Sequence, residues 1–173
     1  MSKTSAIAKG LLEALKNGKK VCVFIETKAR FDESNNIYWG EKLRKAGAKV
    51  IFSYPEIKVH SKIMYVRAKT KTGIQEYAYI GTGNFNEKTS KIYTDYGLLT
   101  ADKKITADIG RVFELLEGKI LVPKTKKILV SPFTTRSTIV ELIQNEMSNA
   151  KLGKDAYLIF KMNSLQDLSL IHI

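Results

Sequence analysis

Apolar residues return at helical spacing near the start of the chain. Ile7, Leu11, Leu12 and Leu15 fall on one face, and Gly18 stands where a C-terminal cap belongs. Lys20 to Glu26 then reads as a buried strand, because Val21-Cys22-Val23-Phe24-Ile25 is continuously apolar. Helical periodicity resumes from Asp32 to Ala46, with Ile37, Leu43 and Ala46 as inward positions, and Gly47 ends it. Val50 to Tyr54 is a second apolar strand. The order α-β-α-β predicts helices packed on a sheet that contains parallel strands.

The pattern then shifts towards alternation. Lys58 to Ala68 reads as a strand, Lys69-Thr70-Lys71-Thr72-Gly73 as a polar turn, and Gln75 to Gly81 as the returning strand of a hairpin. Gly81-Thr82-Gly83-Asn84-Phe85-Asn86 is too rich in glycine for a strand interior and reads as a loop. Tyr93 to Thr100 predicts a further strand. Asp102 to Glu117 predicts a helix with Ile105, Ile109, Val112, Phe113 and Leu116 at core spacing. A basic connector over 118–131, around Pro123 and Pro132, leads to a helix from Thr134 to about Ala150 that carries Ile139, Leu142, Ile143 and Met147 and is broken by Gly153. Ala156 to Met162 predicts one more strand, with no later partner in the chain. Residues 168–173, Leu-Ser-Leu-Ile-His-Ile, match a translated sequencing-library adapter and are read as a non-native tail, so His172 carries no functional weight; a native apolar tail is the alternative.

Composition narrows the picture. Apolar residues make up 44% of the 173, enough for a core. Lys+Arg is 29 against Asp+Glu 17, a formal charge of +12, which favours a polyanionic partner: nucleic acid, an anionic membrane surface or a phosphate polymer. Cys22, the one cysteine, sits in an apolar run and reads as a buried, inert thiol; one cysteine cannot staple a fold, so a reducing compartment fits. No apolar stretch is long enough to span a bilayer, and Met1-Ser2-Lys3-Thr4 does not open a signal peptide, so a cytoplasmic location is the expectation.

Apart from His172, His60 is the only histidine, in Lys58-Val59-His60-Ser61-Lys62. On a strand, alternate residues share a face, so His60 projects beside Lys62 with Lys58 in line. A neutral imidazole is a competent nucleophile towards phosphorus. Adjacent ammonium groups would bind phosphate oxygens and lower the imidazole pKa by repulsion. For a lone His-x-Lys a structural histidine is the commoner explanation. The later Gly81-Thr82-Gly83-Asn84 changes the balance. The two elements together resemble the phospholipase D superfamily, in which His-x-Lys on a strand is followed by a Gly-Ser/Thr-x-Asn turn that helps bind phosphate. That pattern puts an aspartate five residues after the lysine, where this chain has Arg67. The departure argues against diester hydrolysis and for phosphoryl transfer.

Longer blocks point to one relative. Glu26-Thr27-Lys28-Ala29-Arg30-Phe31-Asp32-Glu33, Lys58-Val59-His60-Ser61-Lys62, Gly81 to Thr89, Tyr93-Thr94-Asp95-Tyr96 and Leu98 to Asp102 resemble, in order and spacing, the bacterial histidine-phosphorylated polyphosphate kinase family. Ser131-Pro132 with Arg136, and Lys161 to Asp167, are similar to the join between that family's two C-terminal domains. The resemblance implies an α/β fold, a phospholipase D-like mixed sheet flanked by helices. It implies a catalytic domain over 1–130 and the start of a truncated second domain over 131–167. It also implies reversible transfer of the terminal phosphate of ATP to polyphosphate through a phosphohistidine at His60, with Mg²⁺ as cofactor. Lys62 would act beside His60. Asn84 and Lys58 would bind phosphate, and Tyr93 would contact the nucleotide, although strand packing would also explain a tyrosine there. Arg30 matches an arginine assigned to the magnesium–phosphate site. Because Mg²⁺ takes oxygen ligands, Arg30 reads as a phosphate clamp near the metal or as a ligand through its carbonyl. The resemblance further implies ATP, ADP and polyphosphate as partners rather than nucleic acid, homo-oligomers, and a fragment inactive without its missing domains; peripheral membrane association is left open. A non-catalytic polyanion-binding module and a phospholipase D-like phosphodiesterase are the alternatives.

Overall fold

The structure, a computed structural model, describes residues 4–27, 33–54, 58–162 and 165–171. Helix α1 (Ala6–Lys16) starts at Ser5, whose hydroxyl accepts from the amide of Ala8 at 3.3 Å. Such a cap stabilises a helix by about 1 kcal/mol. Gly18 follows the helix with φ +70°, a left-handed conformation that a side chain would oppose. Strands β1 (Cys22–Ile25) and β2 (Lys49–Phe52) pair in parallel, Cys22 opposite Lys49 and Ile25 opposite Phe52. Helix α2 (Glu33–Lys45) makes the crossover between them, as the α-β-α-β pattern requires, and Gly47 (φ +98°) turns the chain out of it.

The inward face of α2 differs from the expected one. Leu43 is buried as expected, but Ile37 and Ala46 are exposed, and Trp39, Asn36 and Gly40 face the core instead. Gly40 is the contact point with the parallel pair. A Cβ there would stand 2.7 Å from Cζ of Phe52 and 3.2 Å from Cδ1 of Ile25. The helix approaches the strands this closely because position 40 has no side chain.

The second ladder is antiparallel. Strand β3 (Lys62–Thr70) pairs with β4 (Gly73–Gly81), and β4 pairs with β5 (Gly97–Thr100). Among the described residues the parallel and antiparallel pairings fall in separate ladders. Register partners share a face. Ile63, Tyr65 and Arg67 therefore lie with Ile80, Ala78 and Glu76, and this face meets α3 (Lys103–Leu116). Tyr65 stacks on Phe113 with ring centroids 6.3 Å apart, its hydroxyl donates to Glu76 at 2.6 Å, and Arg67 pairs with the same carboxylate at 3.0 Å. Helix α3 is capped by Asp102, which accepts from the amides of Lys104 and Ile105 at 2.9 and 3.0 Å; those bonds hold its carboxyl below the usual range. Ile109 and Val112 are buried along α3.

Asp108, also buried on α3, ties down the basic connector. One of its oxygens accepts from the amides of Lys126, Lys127 and Ile128, at 2.8, 2.6 and 3.1 Å. Three converging donors let a carboxylate sit in the interior. Helix α4 (Thr135–Lys151) follows, with Ile143 buried and Leu142 and Met147 exposed. Leu168–Ile171, inside the expected tail, form a short helix, α5.

Other sequence expectations also need correction. Ala156–Met162 forms no strand; Tyr157 and Ile159 are 75% and 84% exposed, and among the described residues no strand pairs with the segment. The strand expected over Tyr93–Thr100 begins only at Gly97, because the chain before it is bonded to the glycine loop described below. Cys22 is exposed rather than buried. Partial desolvation, then the Glu117 charge, raise its thiol pKa, while Lys49 and Lys119 pull it down. Among the described residues no helix is long and apolar enough to cross a membrane.

The close approach at Gly40 carries a stability prediction. Gly40→Ala should destabilise the fold by about 1–3 kcal/mol through overpacking against Phe52, whereas Gly10→Ala, where the added Cβ meets nothing within 4 Å, should be neutral or stabilising. Urea midpoints of the two variants check this.

Candidate functional site

The site is built at one end of the antiparallel ladder. Strand β3 begins at Lys62, opposite Gly81, the last residue of β4. Beyond Gly81 the chain turns away, so residues 58–61 have no ladder partner and His60 lies just outside the strand rather than within it. Its neighbours fix it from two directions. The Lys62 ammonium lies 3.0 Å from His60 Nε2 and donates to the His60 carbonyl oxygen at 2.6 Å. On the other side, the amide of Val59 donates to Glu26 at 2.9 Å.

An ammonium can only donate, so with Lys62 charged this contact is a hydrogen bond to an unprotonated Nε2 on a neutral imidazole. The electrostatics agree. The His60 pKa is lowered, first by the Lys62 charge, then by desolvation, then by Lys58. Lys62 is itself only 8% exposed. Desolvation is the main cause of its lowered pKa and Lys58 adds to it, while the Asp95 carboxylate pulls the other way. Lys62 therefore sits in a field that disfavours its charge and is held by one nearby acid.

Asp95 comes from the arm before β5. It accepts from the Thr82 hydroxyl at 2.9 Å, and the amide of Tyr96 donates to the same hydroxyl at 3.0 Å. The amide of Thr82 donates to the Tyr96 carbonyl at 3.0 Å. The loop after β4 and the arm before β5 are thus laced together, which is why residues 93–96 do not join the strand. The glycines make room for this lacing. A Cβ on Gly83 would collide with the Asp95 carboxylate, and one on Gly81 would collide with the Tyr79 hydroxyl. Tyr79 also lies over Gly97, 2.8 Å from where a Cβ would stand, and packs on Phe85 at 5.7 Å.

The structure brings together His60, Lys62 and the charge of Lys58. Asn84 is exposed in the loop that follows Gly81, and Tyr93 is 67% exposed on the arm that carries Asp95. Tyr93 is therefore not packed in a strand, which leaves it available at the same end of the ladder. Arg30 lies outside the described residues. Arg67, where the phospholipase D pattern has an acid, is on the strand face opposite Lys62 and is bound to Glu76. Sequence reading assigned no role to Glu26, Asp95 or Tyr79. Glu26 bonds to the Val59 amide, Asp95 acts on Lys62 by its charge, and Tyr79 lies against Gly81 and Gly97; Glu26 and Asp95 fall inside the quoted family blocks and Tyr79 does not.

Comparison with known proteins places the chain in a family. The model of polyphosphate kinase C-terminal domain 1 matches residues 1–122, and that of C-terminal domain 2 matches residues 128–173. The chain belongs to the polyphosphate kinase family. It is 44% identical over 171 residues to a polyphosphate kinase of Vibrio parahaemolyticus and 42% identical over 171 to one of Escherichia coli K12, covering 99% of this chain and 25% of each relative. The crystal structure of polyphosphate kinase from Porphyromonas gingivalis superposes with a TM-score of 0.83 at 39% identity, over 98% of this chain and 28% of that one. The chain thus spans about a quarter of the length of the curated polyphosphate kinases it matches. The expected α/β, phospholipase D-like fold is the one observed.

Among the described residues no three His, Cys, Asp or Glu side chains cluster to hold a metal ion. Asp95, the acid whose charge acts on Lys62, is bonded to Thr82 and does not form a cage for a hard cation, which would need several oxygens.

The contact between Lys62 and His60 makes a direct prediction. The His60 imidazole should titrate below the ordinary value of about 6.5. Lys62→Met should move it back up, and Lys58→Met should do so by less, in the order of the two causes. Proton NMR of the imidazole C2–H against pH measures all three. Because the folded-state pKa lies below the unfolded one, the folded chain binds fewer protons, and this group should cost stability as pH falls below about 6.5.

Proposed function

We propose that this chain is the phosphoryl-accepting portion of a polyphosphate kinase, with His60 as the group that carries phosphate between ATP and polyphosphate. The observation that carries the reading is the 3.0 Å contact between Lys62 Nζ and His60 Nε2, at the end of a ladder lined by a glycine loop. Neutral imidazole is the nucleophilic form, and the lysine charges that keep it neutral are the charges a phosphoryl group needs.

In this reading the negative oxygens of the terminal phosphate draw the Lys62 ammonium off Nε2 and free its lone pair. Nε2 attacks the terminal phosphorus, the bond from that phosphorus to the bridging oxygen breaks, and ADP leaves with the electron pair. The terminal oxygen of a polyphosphate chain then attacks the phosphohistidine, the P–N bond breaks, and the neutral imidazole returns. Both steps run in reverse. Lys62 and Lys58 follow the charge on the transferred group, Asn84 holds a phosphate oxygen, and Tyr93 contacts the nucleotide. Arg30 clamps phosphate at the magnesium–phosphate site. Arg30 would stand beside the Mg²⁺ that accompanies the nucleotide, an ion that would supply neutralisation of phosphate charge.

Spanning a quarter of the length of its relatives, the chain contributes one wall of this site and does not turn over alone. The test therefore uses the protein extended to family length, incubated with γ-labelled ATP and Mg²⁺. The parent should take up acid-labile, base-stable label and make labelled polymer. His60→Ala should lose both by at least about 1,000-fold, and Lys62→Met should slow labelling by about 100-fold or more. Polymer persisting in His60→Ala would place the nucleophile elsewhere. Salt-dependent polyanion binding without turnover in the parent would leave a binding module.

A further inference from the structure

We infer that Glu26 is the positioning residue for His60, an inference that rests on the proposed role of that histidine. The segment 58–61 precedes β3 and has no strand partner, so its backbone is placed by side chains. Glu26 follows the last residue of β1, at the carboxyl end of the parallel pair. One carboxylate oxygen accepts from the Val59 amide at 2.9 Å and the other from the Ser53 hydroxyl at 2.8 Å. Ser53 follows β2, and its hydroxyl also receives the Thr27 amide at 3.0 Å. The Glu26 carbonyl in turn accepts from the Asn36 side chain of α2 at 3.0 Å. Glu26 is thus locked to both parallel strands and to α2, and it hands that rigidity to the peptide immediately before His60.

The two ladders share no strand pairing among the described residues, so this carboxylate is a polar link from one ladder to the nucleophile of the other. Lys62 holds the imidazole from the antiparallel side, and Glu26 holds its backbone from the parallel side. Glu26 is not among the charges that shift the His60 pKa. Its action is geometric, through the reach of an acceptor oxygen to the Val59 amide, and not through its charge. An in-line attack tolerates little displacement, since an error of about 1 Å in a reacting group can slow a reaction about 100-fold.

Reach and charge are separated by two conservative variants in the family-length protein. Glu26→Gln keeps the chain length and an acceptor oxygen for Val59, and its amide can donate to Ser53. Glu26→Asp keeps the charge and shortens the reach by one methylene. The rate of His60 phosphorylation in a single turnover at saturating ATP should stay within about 3-fold of the parent in Glu26→Gln and fall about 30- to 100-fold in Glu26→Asp. The ATP concentration for half-saturation should not change in either. Amide exchange at Val59 should speed up in Glu26→Asp and not in Glu26→Gln. Equal losses in both variants would mean that the charge matters, and a parent-like rate in Glu26→Asp would mean that His60 needs no such tether; either overturns the inference. If the parent itself took no label on His60, the proposed function would fail, while Val59 exchange would still judge the tether.

Discussion

The arrangement turns on the place of one ammonium group. Lys62 opens β3 and is nearly buried, where a positive charge is costly, and it answers that cost with a hydrogen bond to the His60 carbonyl, a contact with the His60 ring and the field of Asp95. Each of these has a consequence elsewhere. The contact with Nε2 suits a neutral imidazole. The need for Asp95 explains why the arm before β5 is laced to the glycine loop rather than zipped into the sheet. That lacing explains the glycines, because a side chain at position 83 would displace the acid.

A merely structural lysine would be better served by exposure. The repeated features here, a buried cation beside a depressed imidazole with a second lysine nearby, raise the energy of both charged forms in the resting chain. A phosphoryl group entering between them would relieve that tension with its own negative charge. On the proposed reading, this is the electrostatic logic of a site prepared for an anion, in which the groups that destabilise the resting state stabilise the occupied one.

The helices were readable from the chain because their signals are local. Ser5, Gly18, Gly47 and Asp102 cap or end helices by bonds or backbone angles within a few residues, and apolar spacing marked α1, α2 and α3. Strand ends were misjudged where distant side chains intervene. β3 starts at Lys62 because the amide of Val59 is taken by Glu26, and β5 starts at Gly97 because Tyr96 is held by Thr82. Strand propensity also says nothing about partners, which is why Ala156–Met162 has the composition of a strand without the pairing. The inward face of α2 was misread for a related reason: Gly40 admits the strands to a side that its neighbours' hydrophobicity does not mark.

The same division runs through the site. His60 and Lys62 are near in sequence, and their proximity followed from alternation, although the real contact forms by the lysine curling back to a residue outside the strand. Glu26 and Asp95 were beyond such reasoning, since each acts across the fold on a backbone or charge that no spacing rule connects to it. A candidate nucleophile is recognisable by residue type, but the groups that position it are recognisable only by what they touch. In this chain those groups stand on different ladders, so the geometry of His60 depends on the parallel strands and the antiparallel hairpin being assembled together. A change that loosens either ladder, even far from the histidine, should therefore reach the chemistry before it reaches the fold.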